Sequence, residues 1–167
     1  MITERGWRVI GSVLGVLVML GACSASTSPA AEPTASVTAK PTMIVHKSPT
    51  CDCCRRWVEH ARTAGFPVEI ENAHDLSAVK TRLGVPPPMA SCHTVEVDGY
   101  VIEGHVPIED VVRLLAERPA ARGLALPGMP LGSPGMETPQ GRKDPFATLL
   151  VLRGGATRVF SRHNQTA

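Results

Sequence analysis

The chain has 167 residues, with 17 Lys+Arg against 15 Asp+Glu for a formal net charge of +2. At roughly 100–200 residues per domain, that length holds one modest domain plus tails. The charge is too balanced for a nucleic-acid grip, and two Trp, one Tyr and three Phe are too few for a platform that stacks bases. Fifteen Gly and fifteen Pro exclude a long helical bundle. The five cysteines are the most informative residues, because three of them fall within the four positions 51–54.

Arg5 and Arg8 precede an apolar run of 12 residues, Val9–Leu20, which leads into Gly21-Ala22-Cys23. A basic start, a short apolar run and small residues before a cut site form a secretory signal over residues 1–22. The run is well short of the roughly 20 apolar residues that span a bilayer. Leu20-Gly21-Ala22-Cys23 resembles the lipobox of bacterial lipoproteins, which implies cleavage before Cys23 and lipidation of that cysteine. An ordinary exported protein cut near Ala22 or Ala25 is the competing expectation. Residues 23–42 are small, polar and punctuated by proline, so they read as a disordered tether. With the signal removed, 15 basic and 14 acidic residues remain, so membrane attachment would come from lipid and not from charge. The expected location is the cell envelope, facing the periplasm or the outer surface.

Residues 43–160 read as one small α/β domain, followed by a tail at 161–167. Met43–Lys47 is a strand, and Ser48-Pro49-Thr50 a turn with helix-capping residues. From Asp52 to Ala64, Cys54, Trp57, Val58 and Ala61 recur at i, i+3, i+4 and i+7, one face of a helix that Gly65 ends. Val68–Glu71 is a second strand. Asp75–Leu83 is a second helix with Leu76, Val79 and Leu83 inward. Pro86-Pro87-Pro88 is extended, and His93–Val97 and Tyr100–Ile102 form a hairpin about Asp98-Gly99. Pro107 opens a third helix with Ile108, Val111, Val112 and Leu115 on one face. The order βαβαββα is the plan of the thioredoxin-like fold. A Gly/Pro/Met loop, Gly123–Glu137, and a hairpin of Phe146–Leu152 with Thr157–Phe160 complete the domain.

Four thiols remain after lipidation: Cys51, Cys53, Cys54 and Cys92. Adjacent Cys53 and Cys54 lie about 3.8 Å apart at Cα, too close for an ordinary disulfide. A Cys51–Cys54 bridge is feasible but closes a loop so short that it stabilises little. Structural staples therefore leave the cluster unexplained, and two chemistries remain. Three thiolates on one turn, joined by a fourth from a distant strand, form a soft-ligand nest for Cu(I), Zn(II) or iron–sulfur. Adjacent thiolates suit Cu(I) best, since it accepts two or three ligands and sulfur can bridge several ions. Alternatively, Cys51 and Cys54 sit as a CxxC at a helix N-terminus, where the thiolate is favoured, with Arg55 and Arg56 adding to that if they fold back.

Cys51-Asp-Cys-Cys with Trp57 and His60, Leu83-Gly84-Val85-Pro86, Ser91-Cys92-His93-Thr94, the run Gly99–Pro107 and Gly128-Met-Pro through Gly135-Met136-Glu137 resemble the CopG-like family of bacterial periplasmic proteins associated with copper resistance. The resemblance covers residues 43–160. It implies a thioredoxin-like domain that binds copper through CxCC and the Cys-His pair, with redox activity as a further possibility.

The expected metal set is thus Cys51, Cys53, Cys54, Cys92 and His93, holding copper as Cu(I) in one or more ions. His93 can join Cys92 on one metal only if Cys92 lies in the loop before the strand, since neighbours in a strand face opposite ways. His105, just before the third helix, could face the site but is expected rather as a cap or at the surface, and His60 is expected at the surface. Met129 and Met136 bracket the Gly/Pro loop as soft thioethers, although methionine more often fills gaps. His46, His74 and His163 have no partner spacing. The expected partners are copper ions, the membrane through the lipid and copper-handling proteins of the envelope, with no nucleic acid. A thiol–disulfide oxidoreductase using Cys51 and Cys54 is the alternative, and a zinc-stabilised interaction module the third. No Ser-His-Asp arrangement, phosphate loop or carboxylate pair stands out, and no catalytic residue is assigned.

Overall fold

The computed structural model describes residues 39–165. The expected signal, the lipidated Cys23 and most of the tether lie outside the described residues. Seven strands and three helices follow in the order β1 (Met43–Lys47), α1 (Asp52–Thr63), β2 (Val68–Asn72), α2 (Leu76–Arg82), β3 (His93–Val97), β4 (Tyr100–Glu103), α3 (Ile108–Glu117), β5 (Gly123–Ala125), β6 (Phe146–Val151) and β7 (Thr157–His163). They build one mixed sheet in the order β2-β1-β3-β4-β5-β6-β7. β1 runs parallel to β2 and antiparallel to β3, and β4 runs parallel to β5.

The alternation of the central strands decides what each face carries. Met43 and Val45 of β1, Val95 and Val97 of β3 and Ile102 of β4 enter the apolar core with Trp57, Val58 and Ala61 of α1 and Val111 and Leu114 of α3. The opposite phase carries His46, Thr94, Glu96 and Glu103, and Lys80 of α2 reaches two of them. His46 is 3 % exposed, held between Glu71 Oε2 at 3.1 Å and Glu96 Oε1 at 2.8 Å. Its neighbours across the sheet, and not its sequence spacing, supply its partners.

The helices differ from the sequence pattern in two places. α2 buries no residue fully, so Leu76, Val79 and Leu83 only rest against the sheet. On α3 the inward stripe is Ile108, Val111 and Leu114, while Val112 is exposed. Leu115 packs partly buried against the same core, and on this side the Asp110 carboxylate is buried against His163 Nε2 at 2.7 Å. Pro86–Pro88, expected as extended, instead contains a single 3-10 turn, Pro87–Met89.

β5 lies where the sequence suggested only loop. Its three residues pair with β4 on one side and β6 on the other. A Cβ on Gly123 would lie 1.8 Å from the Val101 carbonyl oxygen, so the two strands approach as they do only because that side chain is absent. The C-terminal hairpin forms as expected, with β7 continuing to His163. Gly123→Ala should lower the urea unfolding free energy by about 2–3 kcal/mol, the scale of overpacking in a filled interior. Unfolding followed by Trp fluorescence measures it.

Candidate metal centre

Cys51 is the N-cap of α1, and its Sγ accepts the Cys54 N–H at 3.3 Å. The preceding turn closes through Cys51 N–H to the Ser48 carbonyl at 3.1 Å. The cap is therefore the cysteine itself and not the Ser-Pro-Thr turn before it. Cys54 starts the buried stripe of α1 and is 0 % exposed, whereas Cys53, one residue earlier, is half-buried. Cys51 and Cys54 are joined by a disulfide, with Cα atoms 5.4 Å apart, while Cys53 and Cys92 are free. Cys53 Sγ lies 3.5 Å from Cys51 Sγ. Arg55 does not fold back toward the thiols: its guanidinium bridges Asp52 at 2.6 Å and Glu59 at 2.7 Å along the outer face of the helix.

The second wall comes from the start of β3 and the turn after β4. Cys92 occupies the bend before β3, and Cys54 Sγ lies 3.7 Å from its carbonyl oxygen. Cys92 Sγ is 3.5 Å from His93 Nδ1 and 2.8 Å from His105 Nε2. Cys92 is thus in the loop, as joint use of Cys92 and His93 requires. His105 is neither a cap nor exposed: it is 0 % exposed and is brought to the sulfur by the turn at Gly104. Its Nδ1 lies 2.7 Å from the Pro134 carbonyl. A carbonyl only accepts, so Nδ1 carries the proton and Nε2 presents its lone pair to Cys92.

His93 is enclosed completely. Its ring lies 4.9 Å from that of Trp57 and 5.0 Å from that of His105, and Nε2 has no hydrogen-bond partner. Trp57 in turn donates its indole N–H to the Val106 carbonyl at 2.8 Å, fixing the residue next to His105. Burial holds the His93 pKa well below its ordinary value, assisted by the nearby His105, Lys80 and Lys47. Burial also lowers that of His105. Both imidazoles are therefore neutral at neutral pH. Burial, with the Cys53 thiol beside it, pushes Cys92 up to about 12, so Cys92 holds its proton until something displaces it.

The Gly/Met loop lies across the first turn of α1. A Cβ on Gly135, whose φ is +83°, would stand 2.5 Å from the Cys53 carbonyl oxygen and 3.3 Å from His105 Nδ1. Glu137 accepts the Gly135 N–H at 2.9 Å and pairs with His60 Nε2 at 2.7 Å, tying the loop back to α1. Although partial burial opposes it, those contacts hold the Glu137 carboxyl below its usual range. His60 is exposed, as expected, but has this partner. Met129 is 52 % exposed and Met136 half-buried. His74 is exposed, and His163 stacks on Phe146 at 4.9 Å.

Among the described residues, the sulfurs of Cys51, Cys53, Cys54 and Cys92 all lie within 4.8 Å of one another, and Cys92, His93 and His105 form a second group within the same limit. Sulfur and neutral imidazole are the donors that a soft metal ion selects. A buried imidazole nitrogen without a partner is costly unless something binds it. The donor set therefore fits a thiophilic ion once the Cys51–Cys54 bond is reduced. His105 is the member of this group that the sequence left outside the expected set. Its signal was the apolar company of Val106 and Pro107, which argues against a solvent-facing cap.

The family described as "Protein of unknown function, DUF411" matches residues 89–136. No match was found among curated protein sequences. Two solved structures resemble the chain over almost their whole length. "Copper resistance protein copG- Form 2" is 43 % identical, with a TM-score of 0.71, covering 74 % of this chain and 98 % of its own. "Copper resistance protein copG- Form 1" is 42 % identical, also with a TM-score of 0.71, covering 75 % and 99 %. With identity at this level over nearly the full length of those proteins, and the CxCC turn facing Cys92, the chain belongs to the CopG copper-resistance family.

Proposed function

We propose that this protein binds Cu(I) through Cys51, Cys53, Cys54 and Cys92, with His93 as an auxiliary donor, and serves copper resistance or copper handling in the cell envelope. The observation that carries the proposal is the convergence of four sulfurs within 4.8 Å from two distant segments. Thiolates that can bridge ions favour Cu(I) over zinc, whose structural sites usually draw on two separated pairs of ligands. The βαβαββα order with the sheet arrangement β2-β1-β3-β4 supports a thioredoxin-like plan for residues 43–117. Lipidation at Cys23 would hold the domain at a membrane. Among the described residues, no helix is long and apolar enough to cross one.

The Cys51–Cys54 disulfide at the start of α1 favours one competing function, thiol–disulfide exchange. The two part at Cys53. A metal cluster uses it, whereas exchange through Cys51 and Cys54 does not.

Reduced protein from Ser24 onward, titrated anaerobically with Cu(I) against a competing chelator, should withhold more than one Cu(I) per chain. Negligible retention with all four thiols shown free would reject copper binding and favour disulfide exchange. Cys53→Ser should lower the copper stoichiometry while leaving reduction and reoxidation of Cys51–Cys54 largely intact. Full stoichiometry in that variant would remove Cys53 from the ligand set. The Cys92 thiol, held up to about 12, is protonated throughout the neutral range and must release its proton to bind metal. Protons compete with the ion, so apparent Cu(I) affinity should rise by about tenfold per pH unit for each proton displaced between pH 6 and 8. Chelator competition at several pH values checks the sign and the slope.

A further inference from the structure

Glu103, at the end of β4, is 1 % exposed yet carries a carboxylate. Three donors reach it. Oε1 accepts from Lys80 Nζ at 2.5 Å and from the Ser91 N–H at 2.6 Å, and Oε2 accepts from the Thr94 hydroxyl at 2.6 Å. Lys80 Nζ also donates to Thr94 Oγ1 at 2.9 Å. A buried ion is tolerated only when its partners and hydrogen bonds are this complete. The donors come from three parts of the chain: α2, β3 and the segment before β3.

Two of those contacts bracket the metal-facing pair. Ser91 and Thr94 flank Cys92-His93, and both bind the same carboxylate. Regular strand geometry would send Cys92 and His93 to opposite faces. Here the Ser91 N–H goes to a side chain in place of a neighbouring strand, and the ladder of β3 with β4 stops at Thr94 opposite Glu103. The Gly104 N–H takes the His93 carbonyl at 2.9 Å, and the Ser91 hydroxyl takes the Gly128 carbonyl at 2.8 Å. Cys92 is thereby left in a bend whose two ends are fixed.

We infer that Glu103, charge-balanced by Lys80, is a positioning residue that holds the Cys92–His93 pair in a bend so that both present donor atoms to one site. The consequence for copper rests on the proposed function, but the consequence for Cys92 geometry does not. Glutamine is an imperfect substitute: its carbonyl can take the place of Oε1 toward Lys80 and the Ser91 N–H, but its amide then donates to the Thr94 hydroxyl in place of accepting from it, and the charge that balances Lys80 is lost. Lys80→Met removes the balancing charge and alters neither Ser91 nor Cys92.

The test compares Glu103→Gln and Lys80→Met in the full chain, with circular dichroism to establish folding, so that one variant suffices if the other does not fold. In metal-free protein with Cys51–Cys54 bonded, alkylation of Cys92 by iodoacetamide, read by peptide mass spectrometry, should be several-fold faster than in wild type. In reduced protein, competition with a Cu(I) chelator should show affinity falling by about 10–100-fold, the usual effect of losing a group that orients a metal ligand. In a Cys92→Ser background, Glu103→Gln should add a smaller loss, only the part that passes through His93. A general loss of fold would weaken both backgrounds alike. Unchanged Cys92 alkylation in the folded variants overturns the assignment, as does an equal affinity loss in the Cys92→Ser background. If wild type itself withholds no Cu(I), the proposed function fails, and the alkylation arm alone decides the role of Glu103.

Discussion

Trp57 is the point on which fold and site both turn. Its indole fills the core beneath the sheet, its ring lies against His93, and its N–H secures the carbonyl beside His105. It sits three residues after Cys54 on the same stripe of α1, so seating the helix on the sheet also seats the cysteine turn against β3. Core packing and donor geometry are therefore not separable here. The close-packed interior that stabilises the domain also fixes how far the two walls of the centre stand apart.

The electrostatics of that arrangement follow from dryness. Two imidazoles are kept neutral and one thiol kept protonated by burial, with Lys80 and Lys47 further opposing charge on His93. Arg55, which follows the CxCC turn, is engaged elsewhere, committed to Asp52 and Glu59. The amide end of α1 offers the thiols a positive potential, through the Cys54 N–H that Cys51 already accepts. A metal ion would bring the charge that the protein withholds.

The sequence exposed most of the scaffold and half of the centre. The stripe Cys54, Trp57, Val58 and Ala61 was visible because helical periodicity is local, and the hairpin about Asp98-Gly99 because its turn chemistry is local. β5 was not visible, since a three-residue parallel pairing beginning with glycine leaves no pattern; only the absent Cβ at Gly123 records it. On α3 the stripe was legible in Ile108, Val111 and Leu115, but not in Asp110. Asp110 is buried through a contact with His163, more than fifty residues away, and no window on the helix contains that partner. His105 was misplaced because its neighbours in space, Cys92 and Pro134, come from the bend before β3 and the Gly/Met loop. Cys51, Cys53, Cys54 and Cys92 were legible as a set, since residue type alone limited the chemistry, and the Cys51–Cys54 bond was legible as a feasible pairing.

Cys92 belongs to both donor groups, and this gives the centre an arithmetic of its own. Two separate sites would let one be emptied while the other stayed full. Here the four-sulfur group and the sulfur–imidazole group meet at a single atom. Whatever takes that sulfur, whether an ion, a proton or an oxidant, acts on both groups at once. The CxCC turn and the histidine pair are thus one unit with one hinge atom, and loss of that atom alone divides the centre into halves that no longer share a ligand.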